Sequence, residues 1–196
     1  MIFFTADTHF DHYNIIGYCQ RPFSSVEEMN EALVANWNRA VGPEDTIYHL
    51  GDFARRRHEY FLRRLHGRKH LINGSHDEAL KRLGEYFEEA TPLKQINIQG
   101  QQIVLCHYAL RVWPGSHYGS WLLYGHSHGN LPPIGKSWDV GVDVNNFRPL
   151  SLGEVRAIML SRPENDTQLA EAPLLPGGPS SLRVTGQAKV RPRLSR

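Results

Sequence analysis

Thiols are nearly missing from this chain. Cys19 and Cys106 are the only two cysteines in 196 residues, and they lie far apart and outside any CxxC pair. That excludes a disulfide framework and a thiolate zinc finger, and both side chains read as reduced. Cys106, at the end of an apolar run, reads as a small core residue. Long apolar runs are absent too, and no stretch is long enough to span a bilayer. The opening MIFFTADTHFDHYN has no basic leader and reads as an edge of the fold rather than a signal peptide, so a cytoplasmic location is expected. Strong charge of either sign is lacking, with a formal net charge of +2. Most of the positive charge sits late: from Arg162 to Arg196 there are six basic residues against three acidic ones, which leaves Met1–Ser161 slightly negative. A body of that charge offers little to a phosphate backbone, so nucleic acid is not the expected partner. No GxSxG elbow and no Walker-type loop occurs, which removes the usual signs of a serine nucleophile or a P-loop.

What the chain has in excess is histidine, 11 residues in all. Several stand where apolar, strand-like runs stop. Ile2–Ala6 runs into Asp7-Thr8-His9, and Ile47–Leu50 into Gly51-Asp52. His70–Asn73 runs into Gly74-Ser75-His76-Asp77, Gln102–Leu105 into Cys106-His107, and Trp121–Tyr124 into Gly125-His126-Ser127-His128. Strands laid side by side in one direction would bring these tips to one crevice, where open α/β sheets bind ligands. Aspartate and imidazole are ligands for divalent transition metals, and two Asp with four His exceed what one open metal site requires. Two ions about 3.5–4 Å apart, sharing one carboxylate, fit that count.

Between the runs, Ser25-Val26-Glu27-Glu28 has capping-box spacing. Val26, Met29, Leu33, Trp37 and Ala40 then share a helical face that Gly42-Pro43 terminates. Asn14–Tyr18 suits one or two helical turns, and Tyr60, Phe61 and Leu65 mark a second helix ended by His66-Gly67. Glu78–Leu83 suits a short third one. Gln99-Gly100 suits a hairpin. Tyr108–Gly119 reads as a loop over the strand tips. Asp139–Val144 and Glu154–Leu160 read as the last strands. Arg55-Arg56-Arg57 reads as a solvated helix start or, alternatively, a substrate-facing loop. Asp143, Asn145 and Asn146 read as a structural turn. From Arg162 on, five prolines and a Gly-Gly-Pro-Ser-Ser run have linker composition. The chain therefore divides into a domain over 1–161 and a Pro/Gly-rich, basic, mobile extension over 162–196.

The ordered set Asp7-x-His9, Gly51-Asp52, Gly74-Ser75-His76-Asp77, His107 and Gly125-His126-x-His128 resembles the calcineurin-like metallophosphoesterase superfamily, in particular its small bacterial and phage-type members. The resemblance spans Met1 to about Leu160. It implies an α/β fold, a four-layer α/β/β/α sandwich with two central mixed β-sheets. It implies a phosphatase or phosphodiesterase that hydrolyses a small phosphorylated substrate, a nucleotide among the candidates, by in-line attack of a metal-bridging hydroxide. Asp7, His9 and His128 would hold one ion, His107 and His126 the other, with Asp52 shared. Mn, Fe, Zn and Ni all suit such ligands. His76 would stand by the leaving group, with Asp77 orienting it. Where the superfamily has Asn, this chain has Ser75, a shorter and weaker neutral ligand, which implies a weakened second site. Arg111, His12, Asn14 and Tyr108 are candidates for substrate contact, and Trp113, Tyr118 and Trp121 for stacking or packing. Two other readings stay open: a non-catalytic metal-bound scaffold of the same fold, and a nuclease.

Overall fold

Alternating residues of β1 (Ile2–Thr5), β2 (Thr46–His49) and β3 (Arg68–Ile72) face opposite ways, and both faces are apolar. Such strands need cover on each side. The computed structural model describes residues 1–77 and 84–165; the helix expected at Glu78–Leu83 and the extension beyond Asn165 lie outside them. These three strands pair in parallel with one another and with β4 (Glu89–Thr91), and β9 (Leu150–Ser151) closes the other edge antiparallel to β1, in the order β4-β3-β2-β1-β9. The second sheet has the order β5-β6-β7-β8, from β5 (Leu93–Ile98), β6 (Gln101–Cys106), β7 (Trp121–Tyr124) and β8 (Ser137–Asp139). Here β6, β7 and β8 are parallel and β5 is the antiparallel arm of the hairpin expected at Gln99-Gly100. The architecture is α/β, built on two mixed sheets with helices, as the sequence leads one to expect.

Phe4, Leu50 and Ile72 of the first sheet pack with Ile103, Leu105 and Leu123 of the second in one fully buried cluster. The opposite face of the first sheet presents Phe3, Ile47 and Leu71 to a cluster that holds Ile15 of α1 (Tyr13–Tyr18), Met29, Leu33 and Trp37 of α2 (Val26–Ala40), and Phe61 and Leu62 of α3 (His58–Arg64). α2 begins where the capping pattern places it, with Ser25 Oγ accepting from the Glu28 amide at 3.1 Å. The outer face of the second sheet, Val104, Cys106, Leu122 and Tyr124, is covered by the 108–120 connection through Trp113 and by its single 3-10 turn at Ser116–Tyr118. Trp113 and Trp121 are thus packing residues, whereas the Tyr118 ring points into solvent.

Two strand expectations are corrected. Glu154–Leu160 lies inside a helix, α4 (Leu152–Ser161), because Ser151 and Glu154 form a complete capping box, an arrangement worth about 1 kcal/mol. Val155 and Met159 fall four apart and bury one face of it. The run Asp139–Val144 leaves the sheet at Asp139, where Asn145 Nδ2 donates to the Asp139 and Gly141 carbonyls and curls the chain into a buried turn. Arg162 donates to the Gly135 and Pro133 carbonyls, and Asn165 to that of Ser116, so the first residues after Ser161 are bonded to the rest of the described chain. Among the described residues no helix is long and apolar enough to cross a membrane.

Candidate metal centre

Parallel pairing carries the C-terminal ends of β1, β2 and β3 to one edge of the first sheet, and those of β6 and β7 to the same edge of the second. There the backbone turns sharply. Asp7, His9, Asp52, His126 and His128 all have left-handed φ angles, of 57°, 49°, 56°, 67° and 47°. Non-glycine residues pay roughly 1–3 kcal/mol each for strained backbone, which persists only where the surroundings impose it. The left-handed step ends the strand and aims the side chain across the crevice. Close approach also dictates glycine at two positions. A Cβ on Gly125 would lie 2.6 Å from Asp7 Oδ2, and one on Gly74 would collide with the Asp52 amide and carboxylate.

Two sets of potential ligand atoms result: Asp7, His9 and His128, and Asp52, His107 and His126, each set within 4.8 Å. Asp52 Oδ2 stands between them, 3.6 Å from His9 Nε2 and 3.5 Å from His107 Nε2. The tautomers can be read from the other ring atoms. His107 Nδ1–H donates to the Leu50 carbonyl at 2.7 Å, which leaves a bare Nε2 lone pair toward Asp52. Asp7 Oδ2 accepts from the His126 amide at 2.8 Å, while Oδ1 has no partner. Asp7 Oδ1, His9 Nε2 and His107 Nε2 are all buried and unpartnered. Buried polar atoms are rarely left so, and three converging lone pairs from one carboxylate and two imidazoles suit a divalent cation. The donor set fits the metals the sequence implies.

Around these atoms a ring of hydrogen bonds fixes their direction. His128 Nδ1 donates to Asp143 Oδ2 at 2.7 Å. Asp143 is in turn gripped by the Arg21 guanidinium, Nε to Oδ1 at 2.7 Å and Nη2 to Oδ2 at 2.8 Å. The same guanidinium donates to the Asp7 and Thr8 carbonyls, at 2.7 and 3.1 Å, and is almost fully buried. Such outer partners set the tautomer and basicity of a ligating imidazole. Cys19 lies near His128 and Asp143, but burial pushes its thiol up to about 11, and the other two are already bonded to each other. Cys19 therefore belongs to the packing.

Asp77, expected to orient His76, has its carboxylate bonded to three backbone N–H groups, from Asp52 at 2.8 Å, Gly74 at 2.7 Å and Phe53 at 3.0 Å. It ties the Asp52 turn to the Gly74 turn and is a positioning residue. Ser75 Oγ donates toward both Asp52 oxygens, at 3.3 and 3.2 Å, and the His76 amide donates to Oδ1 at 2.9 Å. The His76 ring centroid lies 6.0 Å from that of His9, at the mouth of a crevice of about 360 Å³ lined also by Asp52, Ser75, His126 and His128.

Of the candidate substrate residues, His12 lines this crevice and Asn14 the depression beside it. Tyr108 stacks its edge on His107 and His126, with centroids at 4.9 and 4.8 Å. Arg111 lines a separate cavity of about 180 Å³ with Leu110, Tyr124 and Ile134, where the 108–120 connection covers the second sheet. The arginine that reaches the crevice is Arg55. Arg21, Asp139 and His49 went unnoticed in the sequence. Asp139 Oδ2 accepts from Ser127 Oγ at 2.6 Å and the Gly129 amide at 3.1 Å, holding the turn that bears His128. A lone Arg before Pro22 carries no pattern, but Asp139 and His49 each close a strand, the same signal that marked Asp7 and Asp52.

Burial raises the Asp7 carboxyl to about 7, with His128 and His107 pulling it partly back. Burial opposes a charged His107, yet the Asp52 carboxylate outweighs it and the net shift is upward. Asp52 itself is held well below the usual range: burial would raise it, but His107 and His9 win. A cation entering the site would therefore displace a proton from Asp7.

His49 supports the Asp7 loop from behind. Thr8 Oγ1 donates its one proton to the Phe53 carbonyl at 2.7 Å and so accepts from His49 Nε2–H at 3.0 Å. Burial, then His107, pushes His49 down to about 3. A depressed imidazole stabilises the fold fully above its unfolded value near 6.5 and loses that contribution as pH falls toward 3. Chelated protein should lose about 1.4 kcal/mol of stability per pH unit from this group below pH 6. Urea unfolding at pH 7, 6 and 5 should show a slope shallower by one proton in His49→Phe, and equal slopes would contradict this assignment.

No family model matches the chain. The uncharacterized protein MJ1445 of Methanocaldococcus jannaschii is 38% identical over 168 residues, covering 77% of this chain and 86% of that protein. The crystal structure of AQ665 of Aquifex aeolicus, a protein of unknown function, superposes with a TM-score of 0.68 at 30% identity, covering 81% of this chain and 98% of that one. The chain belongs to the family of these two proteins, whose members named here carry no assigned activity. An archaeal phosphodiesterase is similar at 17% identity and a TM-score of 0.44, over 71% of this chain and 81% of its own; likeness at that level says nothing about activity.

Proposed function

We propose that this protein is a dinuclear, metal-dependent phosphoesterase of the calcineurin-like kind, acting on a small phosphorylated substrate through its 1–161 domain. The observation that carries this reading is Asp52 Oδ2 midway between two bare, buried imidazole nitrogens, with a second ligand set on either side. Asp7, His9 and His128 would hold one divalent cation, and His107 and His126 the other, with Asp52 common to both. Ions bound there supply Lewis-acid polarisation of phosphoryl oxygens and an activated water. The chain's own residues do the rest. The Asp143–Arg21 pair keeps His128 aimed. Asp77 and Ser75 fix Asp52. His76, exposed at the crevice mouth, delivers a proton to the departing oxygen as its bond to phosphorus breaks.

The test is hydrolysis of p-nitrophenyl and bis-p-nitrophenyl phosphate by protein loaded with manganese and stripped by chelation. Turnover that chelation removes and manganese restores is expected. A protein with two ions bound and no turnover of either ester would instead be the non-catalytic scaffold. Ser75→Asn supplies a longer neutral oxygen ligand. It should raise manganese occupancy or turnover, and no change in either would show that Ser75 acts only on Asp52.

A further inference from the structure

Beside the metal crevice lies a second depression of about 580 Å³, and His12 and Arg55 line both. Arg55, Arg56 and Arg57 form one wall of it, and His12, Tyr13 and Asn14 another. Arg57 is engaged, its guanidinium making a two-pronged bond to Asp11 at 2.6 Å on each arm. Arg55 and Arg56 have exposed side chains with no hydrogen-bond or ion-pair partner among the described residues. Of the two carboxylates in the lining, Asp11 is neutralised by Arg57, and Glu27 lies on the first turn of α2. The wall therefore offers two free guanidiniums, groups that suit a phosphate's paired oxygens.

The third property of the depression is aromatic. Tyr13 is 70% exposed within it, and Tyr18 is 74% exposed at the adjoining crevice. Exposed tyrosines beside a metal crevice, on a short helix, offer ring faces on which a base can stack. A p-nitrophenyl ester or a lone phosphate would reach none of this. A substrate with a scissile phosphate over the metal ligands, a base beyond it and a second phosphate further out would reach all of it.

Resting on the phosphoesterase reading above, we propose that the substrate is a dinucleotide bearing a terminal phosphate. The linking phosphate sits in the metal crevice, one base stacks on Tyr13, and the terminal phosphate is held by Arg55 and Arg56. The concave, bounded shape, within the range of small-ligand sites, favours a short molecule over a long strand.

The experiment uses full-length, manganese-loaded protein and diadenosine probes with a phosphorothioate linkage, which resists cleavage, with and without a 5′-phosphate. The phosphorylated probe should bind about tenfold tighter or more, the worth of one charge-assisted hydrogen bond. In Arg55→Ala/Arg56→Ala that ratio should fall to near one with manganese content unchanged. A ratio near one in the unaltered protein, or one that survives in the double variant, would overturn the proposal. So would affinity that climbs with each nucleotide added beyond two, which would assign the wall to nucleic acid. Absence of hydrolysis of both p-nitrophenyl and bis-p-nitrophenyl phosphate would sink the phosphoesterase reading and leave this binding ratio readable. A ratio near one in the unaltered protein with hydrolysis intact would sink the dinucleotide alone.

Discussion

Asp52→Asn should leave the fold in place and lower turnover about 1,000-fold, since a two-ion clamp contributes several kcal/mol and each 1.36 kcal/mol is tenfold. The substitution is nearly isosteric. Its backbone stays pinned by Asp77, and Asn Oδ1 can still accept from the His76 amide. What disappears is the negative charge common to the His9 and His107 nitrogens. Elemental analysis should find at least one manganese ion fewer per chain than in the unaltered protein. Full metal content with undiminished hydrolysis would mean that Asp52 is not the shared ligand.

The second large effect belongs to a residue that touches no ion. Arg21 is buried, grips Asp143 with both arms and carries the Asp7 and Thr8 carbonyls. Arg21→Met fits the space but leaves a buried carboxylate and two carbonyls without partners. Breaking such a pair costs about 3–5 kcal/mol, or roughly 10 °C in Tm for a chain of this size. Asp143→Asn isolates the effect on the site. The amide is a poorer acceptor for His128 Nδ1–H, so manganese affinity should drop about 10–100-fold. Calorimetry measures the first and metal titration the second. If Arg21→Met melts as the unaltered protein does and Asp143→Asn binds manganese normally, this network is only packing.

Legibility in the sequence followed locality. Asp7, Asp52, His107, His126 and His128 were readable because each closes an apolar run, and parallel pairing then brings all the tips to one edge. α2 was readable for the same reason, since its cap and its stop lie within the segment itself. Glu154–Leu160 was misread although its cap, Ser151 to Glu154, stood in plain order; a segment of seven with five apolar residues is too short for its period to tell a strand from a helix. Arg21 and Asp143 are 122 positions apart, and nothing in either neighbourhood names the other. Arg111 was favoured by nearness to His107 in sequence, but the chain leaves the crevice at once after Tyr108. Arg55 was closer in space because β2 delivers its following loop to the same edge.

The two ligand sets do not divide along the two sheets. Asp7 and His9 follow a strand of the first and His128 one of the second; Asp52 follows the first, His107 and His126 the second. Any ion held by either set is thus a brace across the seam of the molecule, tightening by mass action the apolar contact on which the fold already rests. Occupancy of the centre and cohesion of the sandwich are one equilibrium viewed from two ends.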